Sequence, residues 1–326
     1  MSVDSLARVV LAAVDFAGVR WALFEAPPAD FAAWGDCDIV ADDPIVDWWP
    51  EVGVRLQAVG VYPLVWSHYD VGRGDALWLW DTGDGSIFHL DVLSDPHGVG
   101  RLALATAPLL VDADSQSGFP VVERRWQHVY RLSKDLSKRR WDRLAETGMA
   151  STGLQADCLV SVFGSRVAAE ITNELVGASS DRWRTAAPAL RRARLLVRAR
   201  RRGWTQLVLD QLRRFWSRLS RPVGVWIHVY GGTAGDATRR LAEELGASLR
   251  IIHVDWSGRQ AQGSGLHLRL ALLRPVVVIP WGAEPIRGFG LTRADLQFDS
   301  RESSDWQLFR ASVARALTAR LQERLR

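Results

Sequence analysis

Cysteine is nearly absent: Cys37 and Cys158 stand far apart in no paired spacing, which excludes a disulfide framework, a cysteine-built zinc site and a Cys-x-x-Cys redox motif. A reducing compartment fits that usage. Lysine is as scarce, with Lys134 and Lys138 alone among 41 basic residues, and reads as a compositional preference for arginine. The net charge of +4 therefore says less about partners than the places where the arginines gather. No apolar run approaches the roughly 18 residues that would span a bilayer. No cationic start leads into an apolar stretch and a small-residue cleavage site, so no signal peptide is expected and a cytoplasmic location is. His68, His97, His128, His228, His253 and His267 fall in no metal-ligand spacing. A Gly-x-Ser-x-Gly nucleophile turn is missing as well.

What is present is a chain of 326 residues, 48% hydrophobic and with 16 tryptophans, enough for about two domains with buried cores. A first helix is expected from Asp4 to Phe16, with Leu6, Val9, Val10, Ala13 and Val14 on one face and Gly18 ending it. Strands follow at Val19 to Phe24 and Asp36 to Ala41, separated by a loop through Pro27 and Pro28. Asp42, Asp43 and Pro44 read as a helix start that Pro50 interrupts. Runs near Val61 to His68, Ala76 to Trp80 and Ile87 to Leu93 predict an antiparallel meander, with its clearest turn at Asp81 to Gly85. From about Val121 to Leu219 the pattern is helical and arginine-rich. Short buried strands at Val223 to Val229, Ile251 to Val254 and Val276 to Ile279 then predict a small α/β unit closed by a helix from Trp306 to Leu325. The expectation is a multi-domain α/β protein: an α+β domain over 1–120, a helical middle over 121–220 and a small α/β domain over 221–326.

The chemistry concentrates in Gly35-Asp36-Cys37-Asp38-Ile39-Val40. On a strand, alternation puts both carboxylates on one face and turns Cys37 away. At about 6.6 Å and an effective dielectric near 20 the two charges repel by roughly 2.5 kcal/mol, which a bound divalent cation would relieve. The run Ile87-Phe88-His89-Leu90-Asp91-Val92-Leu93 adds a third carboxylate on the face that carries His89. Asp36, Asp38 and Asp91 are thus the candidate magnesium ligands and catalytic residues, with Gly35 and His89 as candidate nucleotide contacts. Several carboxylates sharing magnesium are what phosphoryl chemistry by two metal ions uses. An Asp-x-Asp pair is also found simply at strand ends.

The order of helix, strand, Asp-x-Asp strand, meander and a later strand with Asp resembles the nucleotidyltransferase superfamily over roughly the first 100 residues. Trp21 to Pro28, Gly35 to Val40, His89-Leu90-Asp91 and Tyr130 to Leu136 also resemble, in order, bacterial two-part proteins encoded with polysaccharide genes, in which such a domain precedes a thymidylate-kinase-like P-loop domain. That resemblance implies transfer of a nucleotidyl group from a nucleoside triphosphate to a hydroxyl acceptor with two magnesium ions, and a place in polysaccharide biosynthesis. The superfamily's glycine turn before the Asp-x-Asp strand is replaced here by Glu25-Ala26-Pro27-Pro28.

After Val229, the sequence Tyr230-Gly231-Gly232-Thr233-Ala234-Gly235-Asp236-Ala237 sits where a phosphate-binding P-loop would. Only Gly235 keeps its place; Asp236 replaces the lysine and Ala237 the hydroxyl residue, so a degenerate scaffold is expected in place of a kinase site. Arg191, Arg192, Arg194, Arg198, Arg200, Arg201, Arg202, Arg213, Arg214 and Arg218 form the densest basic stretch, with Trp204, Phe215 and Trp216 nearby. They fit either a solvated face covering the core with arginine stems or an anion- or nucleic-acid-binding surface. Beside the transferase reading stands a non-catalytic binding or assembly protein in which both sites have decayed.

Overall fold

A computed structural model of the chain describes residues 3–28, 36–70, 74–95, 104–111, 113–116, 118–150, 156–220, 224–246, 250–255, 276–282, 296–301 and 305–325. The first unit runs α1 (Val3–Phe16), β1 (Trp21–Leu23), β2 (Cys37–Ala41), α2 (Ile45–Ala58), β3 (Val61–Asp70), β4 (Gly74–Asp81), β5 (Ile87–Leu93), α3 (Thr106–Val111), β6 (Asp114–Gln116) and β7 (Phe119–Val121). Its strands form a seven-stranded mixed sheet in the order β3-β4-β5-β2-β1-β7-β6. The meander over β3, β4 and β5 is antiparallel, as the alternation predicts, whereas β2 and β5 run parallel.

Helix α2 departs from expectation, because it passes through Pro50 without a break. Proline removes one amide bond and costs roughly 3 kcal/mol in a helix interior. Here Pro50 is exposed while Ile45, Trp48, Trp49, Val52 and Leu56 are buried. Burial of each large apolar side chain contributes roughly 1.5–3 kcal/mol, so the packed face outweighs the proline.

The middle is helical: α4 (Arg124–Lys138), α5 (Trp141–Ala150), α6 (Ala156–Phe163), α7 (Ser165–Glu170) continuing into a π-helical turn at Ile171–Leu175, α8 (Ser180–Arg202) and α9 (Trp204–Ser220). The last part is β8 (Val225–Tyr230), α10 (Ala234–Gly246), β9 (Arg250–Asp255), β10 (Val276–Gly282), β11 (Leu296–Asp299) and α12 (Trp306–Leu325). Its four strands among the described residues are all parallel, in the order β11-β8-β10-β9. Among the described residues no helix is long and apolar enough to cross a membrane.

Three apolar cores hold these parts together. One face of the large sheet packs on α1 and α2 through Cys37, Ile39 and Phe88. The opposite face is divided: Val40 and Leu93 join the core of the middle helices, while Leu64, Trp78, Trp80 and Ile87 join that of the last unit. Between sheet and last unit lies a polar joint. Glu244 Oε1 of α10 accepts from Trp80 Nε1 of β4 at 2.9 Å and from Arg310 of α12 at 3.0 Å, and Arg310 also donates to Gly83 O of the β4–β5 turn at 3.1 Å. Gly85 in that turn has φ +89°, and a Cβ there would strike the Glu244 carboxylate. Arg310 is 3% exposed, so removing its partner strands a charge in the interior. Glu244→Ala is expected to lower unfolding stability by about 3–5 kcal/mol, measured by urea denaturation; a loss under 1 kcal/mol would show the joint to be solvated.

Candidate metal centre

Asp36 immediately precedes β2 and Asp38 is its second residue. Alternation sends Cys37 and Ile39 into the core under α1 and α2 and leaves Asp36, Asp38 and Val40 on the opposite face. Parallel pairing then sets Asp38 directly opposite Asp91 of β5. The three carboxylates each offer an oxygen within 4.8 Å of the others. The structure thus brings Asp36, Asp38 and Asp91 together and puts His89 on the face of Asp91. Gly35, His97 and His267 lie outside the described residues.

The histidine ring stacks on Trp78, its cross-strand neighbour, with centroids 4.2 Å apart and planes 9° from parallel. Its Nε2 lies 3.1 Å from Asp91 Oδ1, within ion-pair distance. The direction does not make a hydrogen bond, and both buried atoms lack a hydrogen-bond partner. A buried carboxylate oxygen left in this way is what a hard cation satisfies. Magnesium takes oxygens at about 2.1 Å, so to hold one the three carboxylates would draw together and the Lys134 ammonium between Asp36 and Asp38 would give way.

A fourth group was not singled out from the sequence. Lys134 of α4 donates to Asp36 Oδ2 at 3.2 Å and to Asp38 Oδ2, while Lys138 Nζ lies 3.7 Å from Asp36 Oδ2. Both lysines of the chain therefore reach the acidic cluster. Their spacing of four places them on one helical face, with Gln127 donating to Val122 O at 2.6 Å and Arg131 paired with Glu25 at 3.4 Å along the same side. Tyr130 stacks on Phe24 at 3.8 Å and seats the helix against the end of β1. The available signal was the occurrence of the only two lysines at i and i+4 in an arginine-dominated chain.

The charges shift one another. Burial pushes the Asp38 carboxyl up to about 7, with Asp91 and Asp36 adding to the rise and Lys134 opposing it. Burial also works to raise Asp36, but Lys134 and Lys138 outweigh it and hold that carboxyl below its ordinary value. The Cys37 thiol is raised by full burial and by the three carboxylates, so it is no nucleophile here.

At the glycine turn, Gly231 has φ +111° and the chain enters α10 at Ala234. The Thr233 amide, which a phosphate loop would offer to its ligand, donates instead to Ser300 Oγ at 3.3 Å. Asp236 is paired with Arg239. The adjoining cleft, about 580 Å³, is lined by Asp236, Arg240, Arg301 and Trp306 among others.

Comparison of the chain with protein-family models, with curated proteins and with solved structures finds no match in any of the three.

Because the Asp38 carboxyl is raised from an ordinary 3.8 to about 7, the stability held by its neutral form is complete below 3.8 and is lost as pH rises through about 7. Metal-free protein is expected to melt at a lower temperature at pH 8 than at pH 6, and Asp38→Asn to reduce that difference. An equal pH 6 to pH 8 difference in the variant would assign the titration elsewhere.

Proposed function

We propose that the chain is a magnesium-dependent nucleotidyltransferase acting from the large sheet, with Asp36, Asp38 and Asp91 as metal ligands. The observation that carries this reading is the convergence of three carboxylates from two paired strands, one of them with a buried oxygen that accepts no hydrogen bond. Aspartates, magnesium and a nucleoside triphosphate form a coherent set: hard oxygen ligands hold the cation, and the cation holds phosphate oxygens. Magnesium bound there would withdraw charge from the phosphates.

The chain's own groups supply the rest. Asp91, with His89 at 3.1 Å, orients the acceptor hydroxyl and takes its proton as the new oxygen–phosphorus bond forms and pyrophosphate leaves. Lys134 and Lys138 lie against the same carboxylates; on arrival of a triphosphate they are the cations nearest its oxygens. The Trp78 ring fixes the plane of His89. The acceptor is a hydroxyl compound, and the glycine turn serves as scaffold, with its Thr233 amide already engaged.

One observation favours a second reading, a binding or assembly protein without turnover: the Lys134 ammonium already bridges Asp36 and Asp38, which offsets part of their charge without any metal. Calorimetric titration with each nucleoside triphosphate separates the two. The transferase reading predicts magnesium-dependent binding that falls at least about tenfold in the double variant Asp36→Asn, Asp38→Asn, since the charged ligands are lost. Failure of every triphosphate to bind the wild-type protein would move the conclusion to the second reading.

A further inference from the structure

Helix α9 carries a surface that the acidic cluster does not use. On α9, Trp204, Val208, Leu209, Leu212, Phe215 and Trp216 are each between 46% and 63% exposed. At 100° per residue they fall within one continuous arc of about 140°, while Leu207, on another side of the helix, is buried. Leu195 and Leu196 of the adjoining α8 are exposed as well. An amphipathic helix ordinarily turns its apolar arc to the core; this one turns it outward.

The two helices that carry and adjoin the arc are rich in one charge. Residues 182–221 contain thirteen arginines and a single carboxylate, Asp210, and Asp210 is paired with Arg202 at 3.1 Å. Arg191 donates to Leu136 O and Arg194 to Ser133 O, and Arg201 to Ser161 O. Arg182 and Arg184, at the start of α8, are paired with Glu174 and Asp181. Arg192, Arg200 and Arg213 are exposed, and Arg213 follows Leu209 at the margin of the arc.

We propose that α9, with the arginines of α8, docks the protein on an anionic phospholipid membrane surface, the apolar arc lying among the acyl chains near the headgroups. Charge complementarity chooses this occupant. A second copy across a twofold axis would set the same arginine-rich surface against itself. Single-stranded nucleic acid would match the charge and stack on Trp204, Phe215 and Trp216, but bases leave the aliphatic Val208, Leu209 and Leu212 in water. An interfacial helix with a basic polar face and an arc of tryptophan, phenylalanine and leucine covers both features at once. The inference does not rest on the transferase reading, and docking would bring the enzyme to lipid-linked hydroxyl acceptors only if both hold.

The test is flotation of the full chain with vesicles of phosphatidylcholine alone and of phosphatidylcholine with about one third phosphatidylglycerol. The wild-type protein is expected to float with the anionic vesicles only and to be released by high salt. Binding should fall at least about tenfold in Leu212→Glu, Phe215→Glu and, separately, in Arg200→Glu, Arg213→Glu, with helical circular dichroism unchanged in each. The proposal is overturned by no flotation of the wild type, by flotation indifferent to both double variants, or by retention on single-stranded nucleic acid in place of vesicles. A wild-type dimer in sedimentation that Leu212→Glu, Phe215→Glu converts to monomer, without vesicle binding, would assign the face to a second copy.

Discussion

Parallel pairing of β2 with β5 places Asp38 beside Asp91 on one face of the sheet, with Asp36 a step away on the same face. Adjacent parallel strands lie about 4.8 Å apart, and at an effective dielectric of 20 two charges at that distance repel by about 3.5 kcal/mol. A fold that keeps this register has to offset the repulsion. Burial does part of it by raising Asp38; Lys134 adds an ammonium against Asp36 and Asp38 together, with Lys138 beside Asp36. The seat of α4 follows from that requirement, and with it the way the helical middle joins the sheet. Tyr130 on Phe24 and Gln127 on the Val122 carbonyl hold the helix at the height where Lys134 can reach.

The same sheet face explains how three parts of the chain share one structure. Val40 and Leu93 flank the acidic cluster toward the helices, Trp78 and Ile87 flank it toward the last unit. The cluster thus lies between two apolar cores, which accounts for its half-buried carboxylates and for the weak solvent screening around them. On the far side the last unit is fixed by Glu244, shared between Trp80 and Arg310. Such a joint transmits no chemistry by itself; it sets the orientation of β4, which carries Trp78 and through it the plane of His89.

Much of this was legible in the sequence because it depends on short periods. Two-residue alternation placed Asp36, Asp38, His89 and Asp91 on their faces and turned Cys37 inward; the turn at Asp81 to Gly85 and the closing helix from Trp306 were local signals as well. Pro50 misled, since a local penalty of a few kcal/mol was weighed without the buried tryptophans Trp48 and Trp49 that offset it. The parallel pairing of β2 with β5, and the reach of Lys134 across nearly one hundred residues, are tertiary facts. No local pattern encodes them, although the rarity of lysine marked the position. Glu244 and Arg310 were equally hidden, being ordinary members of amphipathic helices until their partners are known. The outward-facing arc of α9 was not legible, although Trp204, Phe215 and Trp216 stood out beside the arginines, because the sequence does not say which side of a helix is left uncovered.

Lys134 and a divalent cation claim the same two oxygens, Asp36 Oδ2 and Asp38 Oδ2, so occupancy of the cluster can be read without any substrate. Manganese binding followed by the loss of the free-ion electron paramagnetic resonance signal is the most direct measurement, made on the wild-type protein, Asp38→Asn and Lys134→Met. A metal centre predicts saturable binding in the wild type, its loss in Asp38→Asn and at least about tenfold tighter binding in Lys134→Met, where the competing ammonium is gone. Absence of saturable manganese binding in both the wild type and Lys134→Met would contradict the account and leave the three aspartates as a structural ion-pair cluster.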